Sequence, residues 1–364
     1  MTVNESPEAG LAPLRARIDE LDQRLVALLN ERAQVVVRIG ELKRDGAGPI
    51  YAPDREQAVL EQVRQYNEGP LTDACLEAIW RELMSGSFAL ERPLRVGYLG
   101  PPGSFSHLAA RRKFGASVEY DNLDDIEAVF EEIARGHIDY GLVPIENSAV
   151  GGIGETLDAF LDSTVQVCAE VLITIHHNLL SNSEPDAIRR IYSKPEALAQ
   201  CRKWLSVQLL QAEKVPVAST SKAAELAAAE EGTAAVASTL AGDLYGLNVQ
   251  FANIEDNPQN TTRFFVIGQQ GAKPTGDDKT SVMFTTEHKA GALVSVLDVF
   301  RAHGLNMTHI DKRPSKRVNW EYYFFVDLVG HIAQEQVQTA VEDARKHCLQ
   351  LTVLGSFPRA REVL

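Results

Sequence analysis

Apolar residues recur at alternating steps of four and three along the first part of the chain: Leu14, Ile18, Leu21, Leu25, Leu28, Val35, Ile39 and Leu42. This heptad spacing predicts one long helix over 11–44 with a continuous apolar seam. Shorter helices are predicted over 53–66 and 72–90, separated by Gly/Pro breaks. At about 1.5 Å per residue the first helix is near 50 Å long, and the shorter helices cannot cover its seam. We therefore expect an intertwined homodimer or a higher homo-oligomer.

The pattern changes after Pro93, where short apolar runs alternate with helical stretches. Strands are predicted at 94–99, 138–145, 171–175, 191–192, 215–217 and 234–237. Helices are predicted from about Phe105, around 195–205 and at 221–229. This alternation is typical of an α/β domain.

A polar, glycine-rich stretch at 268–278 predicts a linker before the last part of the chain. Beyond it, strands are predicted at 280–285, 305–310, 322–328 and 351–355, and helices at 290–303 and 334–347. The resulting βαββαβ order is that of a small α+β, ferredoxin-like unit. The chain is thus predicted to be multidomain, with an all-α domain at 1–92, an α/β domain at 93–272 and an α+β domain at 279–364.

Composition limits the partners of the protein more than its fold. Of the 364 residues, 45% are hydrophobic and 24% are charged, an ordinary globular balance. A net charge of −14 argues against nucleic acid or an anionic membrane as a partner, and no apolar run of about 20 residues predicts a membrane span. The four cysteines are scattered without ligand spacing and the start lacks a signal-peptide pattern. We therefore expect reduced thiols and a cytoplasmic location.

A cation interrupts the heptad seam at Arg32, where an apolar side chain belongs. A charge at a core position is costly unless it is paired. It is either a structural ion pair or part of a site. Arg15 and Lys43 lie one position beyond the seam, and Arg55 and Glu56 open the second helix. Several cations converging on an apolar bundle favour a pocket for a small polyanion, although the spacing of any one of them alone indicates a solvated surface charge.

The helical segment resembles the all-helical chorismate mutases. The resemblance rests on L-R-A-R-I-D-x-L-D-x-x-L-x-x-L-L-x-E-R at 14–32, on Lys43 and on Asp54-Arg55-Glu56. It implies that Arg15 reaches into the partner subunit's site and that Arg32 and Arg55 hold the substrate carboxylates. It also implies that Lys43 donates to the ether oxygen, that Glu56 binds the ring hydroxyl and that Ser87 lines the site. The implied pericyclic reaction needs no cofactor, metal or nucleophile, only a compact substrate geometry and well-placed charge.

Two positions depart from a common form of this pattern. Ala52 stands where an Asp is frequent, and Glu91 stands where some members have Gln. A carboxylate beside the ether oxygen would repel developing negative charge, so Glu91 must be protonated to act. Mutase activity is then expected to decline as the pH rises through neutrality.

Three polar motifs follow predicted strands in the α/β segment. They are G-Y-L-G-P-P-G-S-F-S at 97–106, P-I-E-N-S at 144–148 and N-T-T-R-F at 260–264. The first is either a plain tight turn or a strand-to-helix turn whose N–H groups face an anion; its GxxGxxG spacing is not the dinucleotide fingerprint. Together the three motifs resemble prephenate dehydratases over 94–268.

This resemblance implies a two-lobed α/β domain, like the type II periplasmic binding proteins, with the site in the cleft between lobes that the chain crosses near Glu170 and Asn248. Thr262 is implied as the proton donor for the departing hydroxide, or as the residue that positions a water for it. The other implied site residues bind carboxylate or carbonyl groups or pack on the ring: Ser104, Glu146, Asn147, Ser148, Arg263 and Phe264. Lys194 and Glu196 stand where the family has His and Gln, as a catalytic difference or as a structural ion pair.

The C-terminal unit resembles the ACT regulatory domains attached to dehydratases. The segments concerned are Gly291-Ala292-Leu293-Val294, which alone is an ordinary apolar helix start, and Asp311-Lys312-Arg313-Pro314. The resemblance implies a phenylalanine site at a dimer interface and hence feedback inhibition. Lys312 stands where Ser is common.

The three resemblances together imply one enzyme of phenylalanine biosynthesis. It rearranges chorismate to prephenate, converts prephenate to phenylpyruvate and responds to L-phenylalanine. Two alternatives stay open at this point. One is that the protein is a ligand-binding regulator, and the other is that it is a dehydratase whose helical part only dimerises.

Overall fold

Three helices form the N-terminal unit in the computed structural model, which describes residues 7–43, 50–315 and 321–364, with the backbone alone at 7–10 and 43. They are α1 (Pro7–Lys43), α2 (Pro53–Tyr66) and α3 (Asp73–Glu91). Pro53 occupies the first turn of α2, where its missing N–H costs nothing. Thr72 caps α3 by accepting a hydrogen bond from the Cys75 amide at 3.3 Å. The apolar seam of α1 is exposed in the single chain, from 40% at Leu21 to 72% at Leu42.

The first lobe of the central unit is built on one mixed sheet. Its strands are β1 (Arg95–Leu99), β2 (Glu119–Leu123), β3 (Tyr140–Asn147), the short β4 (Gly151–Gly152), β5 (Gln166–Thr174) and, later in the chain, β11 (Thr261–Gly268). The order is β2-β1-β3-β11-β5, with β4 beside β3. Strands β1, β2 and β3 are parallel, and β11 is antiparallel to both of its neighbours. The lobe's helices are α4 (Phe105–Phe114), α5 (Ile126–Ala134) and α6 (Gly154–Ala159).

The second lobe is built on a separate five-stranded sheet. Its elements are β6 (Asn178–Leu180), β7 (Arg190–Ser193), α7 (Pro195–Gln200), α8 (Arg202–Gln208), β8 (Glu213–Pro216), α9 (Thr220–Ala229), β9 (Thr233–Ala237), α10 (Thr239–Tyr245) and β10 (Val249–Phe251). The strand order is β10-β6-β9-β7-β8.

The chain passes between the lobes at 175–177 and at 252–260, which corrects the crossings expected near Glu170 and Asn248. Glu170 lies inside β5 of the first lobe, and Asn248 precedes β10, which still belongs to the second lobe. The error arose because β6 and β10 are only three residues long and carry no readable alternation.

The C-terminal unit has the predicted βαββαβ order. Its elements are β12 (Asp278–Thr285), α11 (Ala292–Ala302), β13 (Met307–Pro314), β14 (Tyr322–Val329), α12 (Glu335–Arg345) and β15 (Gln350–Pro358). The sheet order is β13-β14-β12-β15, and every pairing is antiparallel. In the part of the chain that the structure describes, no helix combines the length and the apolar character that a bilayer crossing requires.

The first-lobe sheet lies between the other two units. On one face, core residues such as Ile145 and Phe265 join Phe325 and Phe357 of the C-terminal unit in one cluster. Strand β15 approaches β5 so closely that a Cβ at Gly355 would lie 2.1 Å from the Val167 carbonyl oxygen.

On the opposite face of this sheet, the loop before α2 inserts a tyrosine from the helical unit. Tyr51 is almost fully buried and contacts the rings of Phe88, Phe114 and Tyr140. Phe114 and Tyr140 belong to the first lobe, so both flanking units share a hydrophobic core with it.

Candidate active sites

Side chains from all three N-terminal helices line one pocket with a volume of about 280 Å³. The Arg32 guanidinium donates a hydrogen bond to the Ser87 hydroxyl at 2.9 Å. Partial burial, and then the neighbouring charge of Arg55, lower the pKa of Arg32. Two adjacent cations repel one another until an anion lies between them, so the pocket favours an anionic ligand. The remaining walls are largely apolar: Val36, Ile39, Ile50, Ala52, Val59, Met84 and Phe88.

The structure brings most of the predicted helical site residues into this pocket. Arg32, Arg55, Glu56, Ser87 and Glu91 all line it. Ala52 lines the pocket too, so an apolar methyl group stands where the frequent Asp of the family would place a carboxylate.

One of the predicted cations, Arg15, does not line this pocket in a single chain. Arg15 is exposed on α1, about 25 Å along the helix axis from Arg32 at 1.5 Å per residue. Lys43 ends α1, and its side chain lies outside the described residues.

Glu56 faces the central unit as well as the pocket. Its Oε2 accepts a hydrogen bond from the Tyr51 hydroxyl at 3.0 Å and from the Lys113 ammonium at 2.6 Å. Lys113 belongs to α4 of the first lobe. Sequence reasoning missed this contact, because no local spacing relates two residues so far apart in the chain.

The second group of predicted residues meets where β3 ends beside the start of β11. Asn147 and Thr262 are paired across the two strands. The Asn147 amide donates to the Thr262 hydroxyl at 2.8 Å and to the Asn260 side-chain oxygen at 2.9 Å. Ser148 is exposed, and its hydroxyl accepts a hydrogen bond from the Thr261 amide at 2.9 Å. Because the Thr262 hydroxyl accepts from Asn147, its own proton is directed to another partner, which suits a proton donor.

A hydrogen-bonded chain continues from this cluster into the second lobe. The Asn260 amide donates to the Gln200 side-chain oxygen at 3.3 Å, and His177 Nε2 lies 2.8 Å from the same oxygen. Burial lowers the pKa of His177, so the neutral imidazole donates from Nε2. Gln200 and His177 were not predicted as site residues, and only the packing of the second lobe brings them here.

The glycine-rich motif lies against the second lobe. Ser104 caps α4, accepting from the His107 amide at 3.2 Å and donating to the Leu99 carbonyl at 3.1 Å. Gly103, which has a positive φ of 83°, receives a hydrogen bond on its carbonyl from the Ser238 hydroxyl at 2.8 Å. The hydrogen bonds of this turn are therefore those of a helix cap and an interlobe contact.

The structure corrects two predicted contacts and redirects a third. Arg263 lies on the opposite face of β11 from Thr262, because successive strand residues alternate, and it is buried against Glu170 and Asp327 at 2.7 and 2.6 Å. It is thus not available in the cleft to bind a carboxylate. Phe264 is 1% exposed inside the core, so it has no free surface for a substrate ring. Glu146 lies 3.3 Å from His309 of the C-terminal unit.

The two departures at the start of α7 form a pair. Lys194 Nζ lies 3.8 Å from Glu196 Oε2, and both side chains are more than half exposed. This geometry favours the interpretation of Lys194 and Glu196 as a structural ion pair over that of a catalytic difference.

The predicted effector segments occupy different surroundings in the single chain. Gly291 precedes α11, Ala292 and Leu293 pack inward, and Val294 is exposed. Asp311 on β13 lies against the hairpin after Asn147, so closely that a Cβ at Gly152 would be 1.8 Å from its Oδ2. Arg313 forms a two-pronged ion pair with Asp158 of α6, and Lys312 lies over the ring of Tyr322.

Comparison with known proteins assigns both regions. Residues 14–92 match the family model of chorismate mutase type II, and residues 96–272 match that of prephenate dehydratase. The bifunctional chorismate mutase/prephenate dehydratase of Stutzerimonas stutzeri is 42% identical over 357 residues, covering 96% of this chain and 98% of the relative. That of Escherichia coli K12 is 32% identical over 382 residues, covering 96% of this chain and 97% of the relative.

A solved structure agrees with the sequence comparisons. The prephenate dehydratase of Arthrobacter aurescens, determined in complex with L-Phe, has a TM-score of 0.69 at 32% identity and covers 73% of this chain and 90% of its own. With helical and α/β regions that each match their family, and with relatives alike over almost the whole length, this chain belongs to the bifunctional chorismate mutase/prephenate dehydratase family of phenylalanine biosynthesis.

Proposed function

We propose that the two reactions occur at two separate sites, the helical pocket and the cluster at the ends of β3 and β11. In the pocket, Arg32 and Arg55 bind the two carboxylates of chorismate, and Ser87 holds Arg32 in place. Glu56 accepts from the ring hydroxyl, and Glu91 and Lys43 act at the ether oxygen. The decline of mutase activity with rising pH, expected from Glu91, stays a prediction.

The observation that supports the dehydratase site best is the pairing of Asn147 with Thr262. A hydroxyl that accepts a hydrogen bond from an amide keeps its own proton for a different partner. We place the departing ring hydroxide of prephenate as that partner, so that Thr262 donates a proton to it as carbon dioxide leaves. Asn260 and Ser148 then line the carboxylate or carbonyl side of the substrate, with Ser104 at the far wall of the cleft.

The experiment is Thr262→Ala in the full chain, with prephenate and chorismate supplied separately. Phenylpyruvate formation is expected to fall by at least about a hundredfold, the usual scale of general acid catalysis, while chorismate consumption is unchanged. Thr261→Ala is the matched control, because its neighbouring hydroxyl contacts only the Gln259 carbonyl. Full dehydratase activity in Thr262→Ala would refute the assignment.

We further propose a homodimer built on the exposed seam of α1. The eight seam residues present an apolar stripe, interrupted at Arg32, that the other two helices leave uncovered. A partner helix packed on this stripe would also carry Arg15 to the other chain's pocket, far from its own. We also propose that the chain divides into three domains, at 1–92, 93–272 and 279–364. We propose as well that the protein is cytoplasmic and that its thiols are reduced.

Regulation is proposed to come from the C-terminal unit, acting as an ACT domain that binds L-phenylalanine at Gly291–Val294 and near Asp311. The contact of Asp311 with Gly152 supports this proposal, because α6 begins only two residues after Gly152. A ligand that shifts β13 would thus press on the hairpin that follows Asn147. Millimolar phenylalanine is expected to lower dehydratase activity in initial-rate assays, and equal rates with and without it would contradict the proposal.

A further inference from the structure

We propose that Lys113, a residue of the dehydratase region, is a positioning residue for the mutase reaction because it holds the carboxylate of Glu56. The inference rests on the proposed role of Glu56 as the acceptor for the ring hydroxyl of chorismate. It makes the mutase pocket incomplete without α4 of the first lobe.

The contact is short and largely removed from solvent. Lys113 Nζ lies 2.6 Å from Glu56 Oε2, and the two side chains are 16% and 9% exposed. The Tyr51 hydroxyl donates to the same oxygen at 3.0 Å, and the ammonium lies 5.8 Å from the centre of the Tyr51 ring. Both donors therefore occupy Oε2, which leaves Oε1 for another donor, and Glu56 lines the mutase pocket.

Other contacts hold α4 against the helical unit independently of this ion pair. The Ser117 amide donates to the Ser85 hydroxyl and the Ala116 amide to Glu82 Oε2, each at 3.0 Å. The turn after α4 sits so close to α3 that a Cβ at Gly115 would lie 2.5 Å from Ser85 Cβ. Removal of the Lys113 charge is therefore expected to leave the two regions docked.

The loop that precedes Glu56 is anchored by the same lobe. The Tyr140 hydroxyl donates to the Tyr51 carbonyl oxygen at 2.9 Å, and the two rings are in edge contact at 5.1 Å between centres. Because α2 begins two residues later, at Pro53, the start of the helix that carries Arg55 and Glu56 is fixed by dehydratase side chains.

The charge of Lys113 matters because Glu56 is buried. An ionised carboxylate at this depth is costly without a counterion. Without Lys113, no ammonium holds Oε2 toward α4, and the side chain turns toward solvent, away from the position in which it accepts a hydrogen bond from the substrate. The ring hydroxyl makes and breaks no bond in the rearrangement, so its contact is equally strong in the ground and transition states, and its loss raises KM with little change in kcat.

The test is the full-length Lys113→Met variant, assayed for both activities. KM for chorismate is expected to rise about tenfold, the scale of a lost hydrogen bond to a charged group, with mutase kcat and dehydratase kinetics nearly unchanged. The melting temperature is expected to fall, because the variant leaves the buried Glu56 carboxylate without its counterion. Lys113→Arg should restore most of the affinity. Arg112→Met is the matched control: it removes a cation at the adjacent position that lines a different pocket, together with Arg81 and not Glu56.

A second pair of variants separates this inference from the assignment of Glu56. Glu56→Gln should raise KM by itself, and adding Lys113→Met to it should cause no further rise, because the carboxylate that Lys113 holds is gone. If Glu56→Gln leaves the mutase unchanged, the proposed role of Glu56 is wrong. If Glu56→Gln impairs the mutase and Lys113→Met does not, or if Arg112→Met impairs it equally, the positioning role of Lys113 is wrong.

Discussion

Single residues in this protein are assigned to different functions by the side of a strand or helix on which they lie. Thr262 and Arg263 are neighbours in one motif, yet the first lies beside Asn147 and the second is buried against Glu170. The motif as a whole therefore serves two purposes: one residue lies beside Asn147, where we propose that dehydration occurs, and the next joins the dehydratase region to the C-terminal unit.

A buried histidine in the glycine-rich motif links stability to pH. The ring of His107 stacks on Tyr98, and its Nδ1 accepts a hydrogen bond from the Gly103 amide at 3.1 Å. Burial, and then the charge of Arg111, lower the pKa of His107 from 6.5 to about 4. Between these two values the unfolded chain binds a proton that the folded chain does not. The free energy of unfolding therefore falls as the pH is lowered from about 6.5 toward 4, by up to about 1.4 kcal/mol per pH unit.

His107→Asn tests this linkage, because an Asn oxygen can still accept from the Gly103 amide but does not titrate. The melting temperature of the variant is expected to fall less between pH 7 and pH 5 than that of the unchanged protein, by circular dichroism at matched ionic strength. An equal fall in the two proteins would show that His107 does not contribute.

At the scale of secondary-structure elements, periodic sequence patterns predicted the long helices but did not predict some of the short helices and strands correctly. Helix α2 was predicted at its observed bounds, and α1 and α3 differ from their predictions by a few residues. The predicted helix around 195–205 is instead two, broken at Cys201, whose φ and ψ of −109° and 13° leave the helical range. Strand β2 is mostly polar, with the sequence Glu-Tyr-Asp-Asn-Leu, and is recognisable only by its parallel pairing with β1.

The buried ion-pair cluster beneath β11 joins four strands, β5, β11, β12 and β14, of the central and C-terminal units. Arg263 Nη1 lies 2.6 Å from Asp327 Oδ2 of β14 in a contact with ion-pair distance but without hydrogen-bond alignment. Lys279 of β12 lies 2.9 Å from Glu170 Oε1. All four side chains are largely buried, so loss of one partner leaves a charge that water cannot solvate.

Asp327→Ala is therefore expected to reduce the free energy of unfolding by about 3–5 kcal/mol, measured by urea denaturation. The control is Glu225→Ala, which removes the exposed partner of Lys222 at 2.7 Å and is expected to cost no more than about 1 kcal/mol. Similar losses in the two variants would contradict the importance of burial at this cluster.

At the scale of the whole molecule, the first-lobe sheet is the common support of the helical and C-terminal units. Its face toward β15 shares a core with the C-terminal unit, and its other face shares Tyr51 with the helical unit. A structural change in either flanking unit therefore acts on the sheet whose strands contain Asn147 and Thr262. The seam of α1 also stays exposed in the single chain, and burial of one leucine there is worth roughly 1.5–3 kcal/mol.

Leu25→Glu in the middle of this seam is expected to prevent the pairing of the helices. Mutase activity should fall by at least about tenfold because the partner's Arg15 no longer reaches the pocket, while dehydratase activity is retained. Sedimentation velocity and both initial rates are the measurements. Gln23→Glu, which adds the same charge outside the seam, should change none of them, and a fully active mutase in Leu25→Glu would contradict the shared site.

The sequence by itself determined the order of the three units, the two activities and the polar residues that line the helical pocket. These follow from heptad periodicity and from motifs whose residues are close together in the chain, and such local signals survive without knowledge of packing. Only the tertiary structure decided which face of β11 carries Arg263, that Gln200 reaches Asn260 and that Lys113 holds Glu56. These contacts join residues distant in sequence, and they depend on strand register and on how the units dock, which no local pattern encodes.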